Sequence, residues 1–215
     1  MSKLLGLVLA LGLALSVSGC GGAKLSPKAE KAFKHKQTMY TKVNMHYQYG
    51  AFGRKVLNVA NYAQGLLLPV NSKVTFKDIN SKQLSFYHDG QLFILRNNPK
   101  YSGTDIGGVV DKYFSSKPVD LHKFTKMEQK IIAKPDGTQV PLRVIPRPFV
   151  ALRLGGYGIT NLKKGMSKKA VLIARGYPPV HGTTSLDSNE WKYWEDPQTT
   201  TTVLFKNGKS TKVLK

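Results

Sequence analysis

The side chains that carry most enzymatic chemistry are few and scattered in this chain. The five histidines, His35, His46, His88, His122 and His181, show no paired spacing such as His-x-x-x-His that would aim two imidazoles at one metal. No Gly-x-Ser-x-Gly elbow and no phosphate-cradling Gly-rich Lys loop occurs. The 12 Asp and Glu residues include no evident carboxylate pair for acid–base work. The sequence therefore predicts no catalytic residues, no metal and no cofactor, and a protein that acts by binding.

Three groups remain as candidates for binding. Trp191, Tyr193 and Trp194 lie so close that a strand puts Trp191 and Tyr193 on one face and Trp194 on the other. One of those faces is expected to be core, and the face left over is a candidate partner-binding anchor, since large rings serve both uses. Lys163, Lys164, Lys168 and Lys169 bracket the start of a predicted helix, as a solvated surface or as an anion-binding patch near the helix amino end. The third is Cys20, the only cysteine.

The residues before Cys20 give it a chemistry. Lys3 is followed by an apolar run from Leu4 to Leu15, the layout of a secretory signal. That run is shorter than the roughly 20 residues a membrane-spanning helix needs. It ends in Ser16-Val17-Ser18-Gly19-Cys20, which resembles the lipobox of bacterial lipoproteins. A lone cysteine in an exported chain otherwise stands as a free thiol or in an intermolecular disulfide. The position after small residues favours cleavage before Cys20 and attachment of acyl chains to it. Each buried methylene would contribute about 0.8 kcal/mol to anchoring. Gly21 follows in place of the Asp that marks inner-membrane retention, which favours the periplasmic face of the outer membrane.

Charge narrows the partners. The chain carries 33 Lys and Arg against 12 Asp and Glu, a net charge of +21, of which cleavage would remove only Lys3. No acidic residue lies between Lys31 and Lys77, or between Gly137 and Leu186. Such an excess draws polyanions through a salt-screened field. Export excludes nucleic acid as the normal partner. Anionic phospholipid, lipopolysaccharide and cell-wall polymer remain, alongside envelope proteins and a membrane reached through the lipid anchor.

The elements that must position these residues suggest an α+β chain. After the signal (1–19), residues 20–37 read as a lipidated tether or frayed helix. A β-rich domain is predicted over 38–115, with four or five strands between Tyr40 and Asn97 and a weak SH3-like likeness in the Pro69–Ser72 turn and the strand after it. His88-Asp89-Gly90 marks a hairpin, and Ile106, Val109, Val110 and Tyr113 mark one helical stripe. Residues 116–158 read as a connector: a helix over Asp120 to Lys130, a hairpin turning at Pro135-Asp136-Gly137, and a Pro- and Gly-rich stretch from Pro146 to Gly158. The last module, 159–215, opens with a helix capped by Ser167 and stopped at Gly176 before Pro178 and Pro179. The strand Glu190 to Trp194, the strand Thr200 to Phe205, an Asn207-Gly208 turn and a closing strand through Val213 follow.

The order of Gly165-Met166-Ser167 helix, Gly-x-Pro stop, Trp-x-Tyr strand and Phe-ended strand before a Gly turn resembles the BamE (SmpA/OmlA) family of small outer-membrane lipoproteins. The likeness covers about Ile159 to Leu214 and the anchor. It implies helices packed on a small antiparallel sheet, contact with anionic lipid, and binding to protein partners in the machinery that inserts β-barrels. The chain departs from it in two ways: Gly155, Gly156 and Gly158 interrupt the helix before Gly165, and Arg175 stands where Leu is expected. The function implied is a non-catalytic scaffold or accessory factor in envelope assembly. The alternative is a binder of anionic envelope polymers or lipids.

Overall fold

The computed structural model describes residues 23–121, 131–133, 139–141 and 162–215. Cys20 with its preceding run, nearly all of the helix expected over Asp120 to Lys130, the turn at Pro135 to Gly137 and the stretch Pro146 to Gly158 lie outside those residues.

The chain departs from expectation at its first helix. Ser26 accepts the Ala29 N–H at 3.3 Å and Pro27 sits at the first helical position, which together start α1 (Pro27–Lys34). Ala29 and Ala32 are buried, and Phe33 packs on Phe76 with ring centroids 4.9 Å apart. Ser26 also donates to Asp111 at 2.6 Å. The segment read as tether or frayed helix is, from Pro27 to Lys34, a helix docked on the core. Its buried face is built from alanines at i and i+3, which let a helix lie close to a sheet but carry little hydrophobicity by which to be recognised.

The strands from Thr38 to Ser115 make one sheet. They are β1 (Thr38–Thr41), β2 (Met45–Tyr49), β3 (Lys55–Asn58), β4 (Leu66–Leu68), β5 (Lys73–Ile79), β6 (Gln83–His88), β7 (Gln91–Arg96) and β8 (Phe114–Ser115). The order is β4-β2-β3-β7-β6-β5-β1-β8, antiparallel except for β3 beside β7. This corrects the small SH3-like unit of four or five strands: one open eight-stranded sheet stands there. The parallel β3–β7 contact and the β1–β8 contact join distant segments, which local alternation cannot register. The β6–β7 hairpin matches expectation. His88 faces Gln91 across Asp89 (φ 47°) and Gly90 (φ 72°), the two left-handed residues that a tight hairpin turn needs.

One face of the sheet carries the main core. After a short α2 (Pro99–Ser102), α3 (Ile106–Tyr113) is capped by Asp105, which accepts the Gly108 N–H at 2.8 Å. Its Ile106, Val109, Val110 and Tyr113 are all buried, as their spacing predicts. They meet Met39, Val74, Phe76, Leu84, Phe86, Phe93 and Leu95 from the strands. Two short strands, β9 (Ile131–Ala133) and β10 (Gln139–Pro141), pair antiparallel as the arms of the expected hairpin.

The last module follows its sequence closely. Ser167 accepts the Ala170 N–H at 3.1 Å and starts α4 (Lys168–Arg175). Strands β11 (Glu190–Trp194), β12 (Thr200–Lys206) and β13 (Lys209–Leu214) form an antiparallel meander. Val171, Trp191, Tyr193, Val203 and Phe205 fill a second, smaller core between helix and meander. The protein is α+β, with helices and two main sheets.

Candidate functional site

Where the two cores meet, the carboxyl end of α4 is satisfied by residues from the large sheet's half of the chain. A helix leaves its last carbonyls without intrahelical partners. Here the Ile173 carbonyl accepts the Asn44 N–H at 2.9 Å and the Ala174 carbonyl accepts the Asn44 side-chain amide at 2.9 Å. The Arg175 carbonyl accepts the Asn61 amide at 2.6 Å, and the Gly176 carbonyl accepts the Tyr193 hydroxyl at 3.2 Å. Asn44 and Asn61 also accept from Val70 N–H and His46 N–H, so each amide works in both directions. Gly176 sits at φ 85°, ψ −171°, a region that only glycine occupies readily. A Cβ there would lie 2.2 Å from Asn61 Nδ2.

Arg175 completes this seam. It is 0% exposed; its guanidinium donates to the Asn61 carbonyl at 2.7 Å and the Trp194 carbonyl at 2.6 Å, and lies over the Tyr193 ring at 5.1 Å. Burial lowers its pKa, against a raising pull from Glu195 and Tyr193, yet a guanidinium stays charged throughout the physiological range. Backbone carbonyls, rather than a carboxylate, solvate the charge. Arg175 is thus the peg joining the two halves.

The seam leaves a cleft of about 730 Å³ beside it. Leu172, Tyr177 and Leu186 give it an apolar lining over the buried Val43, Ile173 and Trp191, and Lys42, Lys117, Lys168 and Lys169 stand around it with Asp120 and Asp187. Lys42 donates to the Asp111 carbonyl at 2.9 Å. Burial lowers its pKa, Lys28 and Lys169 add to that lowering, and Asp111 opposes it. Lys168 donates to the carbonyls of Leu186 (3.1 Å) and Asp187 (2.6 Å) and lies over the Trp191 and Phe205 rings. Two ammonium groups are thus held at the cleft by backbone carbonyls, with Asp111 near Lys42 and Asp187 near Lys168 offsetting part of their charge.

The predicted binding residues divide. Lys168 and Lys169 reach the cleft, while Lys163 and Lys164 lie outside its lining, on the approach to α4 where the Lys163 carbonyl accepts from Ser210 at 2.6 Å. Trp191 and Tyr193 are buried, so the partner-anchor expectation is corrected for both: their face is core, because α4 covers it. Trp194, on the opposite face, remains partly exposed. Its indole donates to His181 Nε2 at 3.2 Å with the rings nearly parallel, and His181 meets Tyr101 edge-on at 4.9 Å. Cys20 lies outside the described residues.

Sequence reasoning missed Lys42, Asn44, Asn61 and Lys117. Polar residues next to strands read as solvated, and nothing local marks a pairing that spans over a hundred residues. Arg175 did leave a signal, since it falls four residues after Val171 on the buried stripe of the helix. Comparison with protein-family models, curated proteins and solved structures finds no match to this chain.

Proposed function

We propose that the chain is a non-catalytic lipoprotein, anchored through an acylated Cys20 to the periplasmic face of the outer membrane, that serves as a scaffold or accessory factor in envelope assembly. The observation that carries this reading is the cleft at the seam. Its walls come from both halves of the chain, and the buried polar joint beside it holds them in one arrangement, so the cleft is formed before any partner arrives. An apolar floor under four lysines that outnumber the two aspartates beside them suits an amphipathic segment with acidic residues. The order of elements in 162–215, a capped helix ahead of a three-stranded meander, is the order on which the BamE-like reading rests.

A photo-crosslinking residue placed at Leu186, on the cleft rim, tests this in the lipidated chain within its own envelope. Discrete crosslinks to envelope proteins are expected, weakened by the double variant Lys117→Glu and Lys169→Glu. Crosslinks no different from those at Lys82, which does not line the cleft, would overturn the reading.

The lysines favour a second reading, a binder of peptidoglycan, lipopolysaccharide or phospholipid. It predicts salt-sensitive retention on these polymers or lipids. Retention indifferent to the same double charge reversal would count against it.

A further inference from the structure

The turn between β2 and β3 presents a side chain that the fold does not use. Phe52 is 96% exposed, and its backbone lies at φ 59°, ψ 31°, in the left-handed region that a bulky residue occupies only at a cost in free energy. Glycine or asparagine would take that conformation more cheaply. The turn is nonetheless braced: the Gly50 N–H donates to the Arg54 carbonyl at 2.8 Å, and Gly53 continues the left-handed path at φ 69°. Among the described residues the ring gains almost no burial, which leaves it free to meet a surface outside the fold.

Its surroundings indicate the kind of surface. Tyr49 stands beside it, 63% exposed, and Arg54 and Lys55 follow directly. The Lys55 ammonium is held over the Tyr47 ring at 5.2 Å and the Tyr49 ring at 5.9 Å. On the flank of the turn lies a hollow of about 500 Å³ whose lining includes Arg54, Arg96 and Tyr62 and no carboxylate. Exposed aromatics at an apex, with cations behind them, match the layering of a bilayer surface, where phosphates lie above the acyl boundary.

We propose that the β2–β3 turn is a membrane-contacting finger: Phe52 enters the boundary between headgroups and acyl chains of an anionic bilayer, and Arg54, Lys55 and Arg96 take lipid phosphates. A convex apex with one protruding ring buries little area on a protein partner, whereas a bilayer closes around it. Positive charge near an anionic leaflet strengthens the contact in a salt-dependent way. The inference rests on the proposed lipid anchor only for bringing the turn within reach of a bilayer.

The test uses the full chain carrying Phe52→Cys, labelled with an environment-sensitive fluorophore and reconstituted into vesicles. An acylated Cys20 leaves position 52 as the sole free thiol, so labelling of the parent chain reports failure of the anchor separately. Vesicles of phosphatidylglycerol and phosphatidylcholine in equal parts should give a blue shift and a several-fold rise in emission, both reduced by salt and by Arg54→Glu with Lys55→Glu. A label on Lys82→Cys should stay unchanged. No shift at position 52, an equal shift on pure phosphatidylcholine, or a shift only when solubilised envelope proteins are added would each overturn the proposal.

Discussion

The two ends of α4 are treated in opposite ways, although one eight-residue helix makes both. At the carboxyl end every carbonyl from Leu172 to Gly176 accepts a hydrogen bond, from Gly176, Asn44, Asn61 or Tyr193. At the amino end Lys168 and Lys169 occupy the first two helical positions, where the helix dipole disfavours positive charge. The satisfied end is a joint that fixes the fold, and the unfavourably charged end faces a cleft. Position in the fold, rather than residue type, decides which cation is structural: Arg175 is sealed and Lys169 is exposed.

The comparison breaks most severely at Arg175. Arg175→Ala strands the Asn61 and Trp194 carbonyls and opens a cavity, and should cost about 3 kcal/mol in denaturant-induced unfolding. Arg175→Lys should recover part of that loss, since an ammonium can reach one of the two carbonyls. A loss below about 1 kcal/mol for the alanine variant would mean that the seam is not a joint.

Alkaline pH attacks the same end by another route. Burial raises the pKa of Tyr193 and Tyr113 far above the usual value near 10, and raises Tyr177 as well. Above pH about 10 the unfolded chain releases these protons while the folded chain keeps them. The unfolded state then binds fewer protons, and stability should fall by about 1.4 kcal/mol per pH unit for each fully buried phenol. Lys42 and Lys112, whose pKa values burial lowers, act in the opposite sense below that range. Chemical denaturation from pH 8 to 12 should show the fall, and Tyr193→Phe should reduce its slope.

A smaller loss is expected from Asn61→Ala, which leaves the Arg175 carbonyl and the His46 N–H unpaired and should cost about 2 kcal/mol. Combined with Arg175→Ala the losses should fall short of their sum, because the two residues share one network. The smallest effect belongs to the amino end. Lys169→Gln should change stability by no more than roughly half a kcal/mol, since relief of the dipole is set against the contact the lysine makes. The same change should weaken salt-sensitive binding at the cleft, so binding responds there while stability hardly moves.

Legibility in the sequence follows how local each feature is. The Asp89-Gly90 and Asn207-Gly208 turns, the stripe of α3 and the alternation of β11 were readable because each is set by residues within a few positions. The parallel pairing of Lys55 to Asn58 with Phe93 to Arg96 was not, since two strands far apart in the chain carry no shared period. Alternation placed Trp191 and Tyr193 on one face but left open which face was covered. The cleft was half legible: Lys168 and Lys169 were marked by their place at a helix start, while Lys42 and Lys117 arrive only through the tertiary fold. Arg175 stood out by departing from the expected Leu, and its partner Asn61 gave no sign.

Whether the seam makes one body of two cores can be tested with the protein's own chromophores. Both tryptophans, Trp191 and Trp194, lie in β11, so their fluorescence reports the smaller core, while far-UV circular dichroism is dominated by the eight-stranded sheet. On thermal unfolding the two signals should change at the same midpoint in the parent chain and separate in Arg175→Ala. Two separate midpoints in the parent chain would contradict the account.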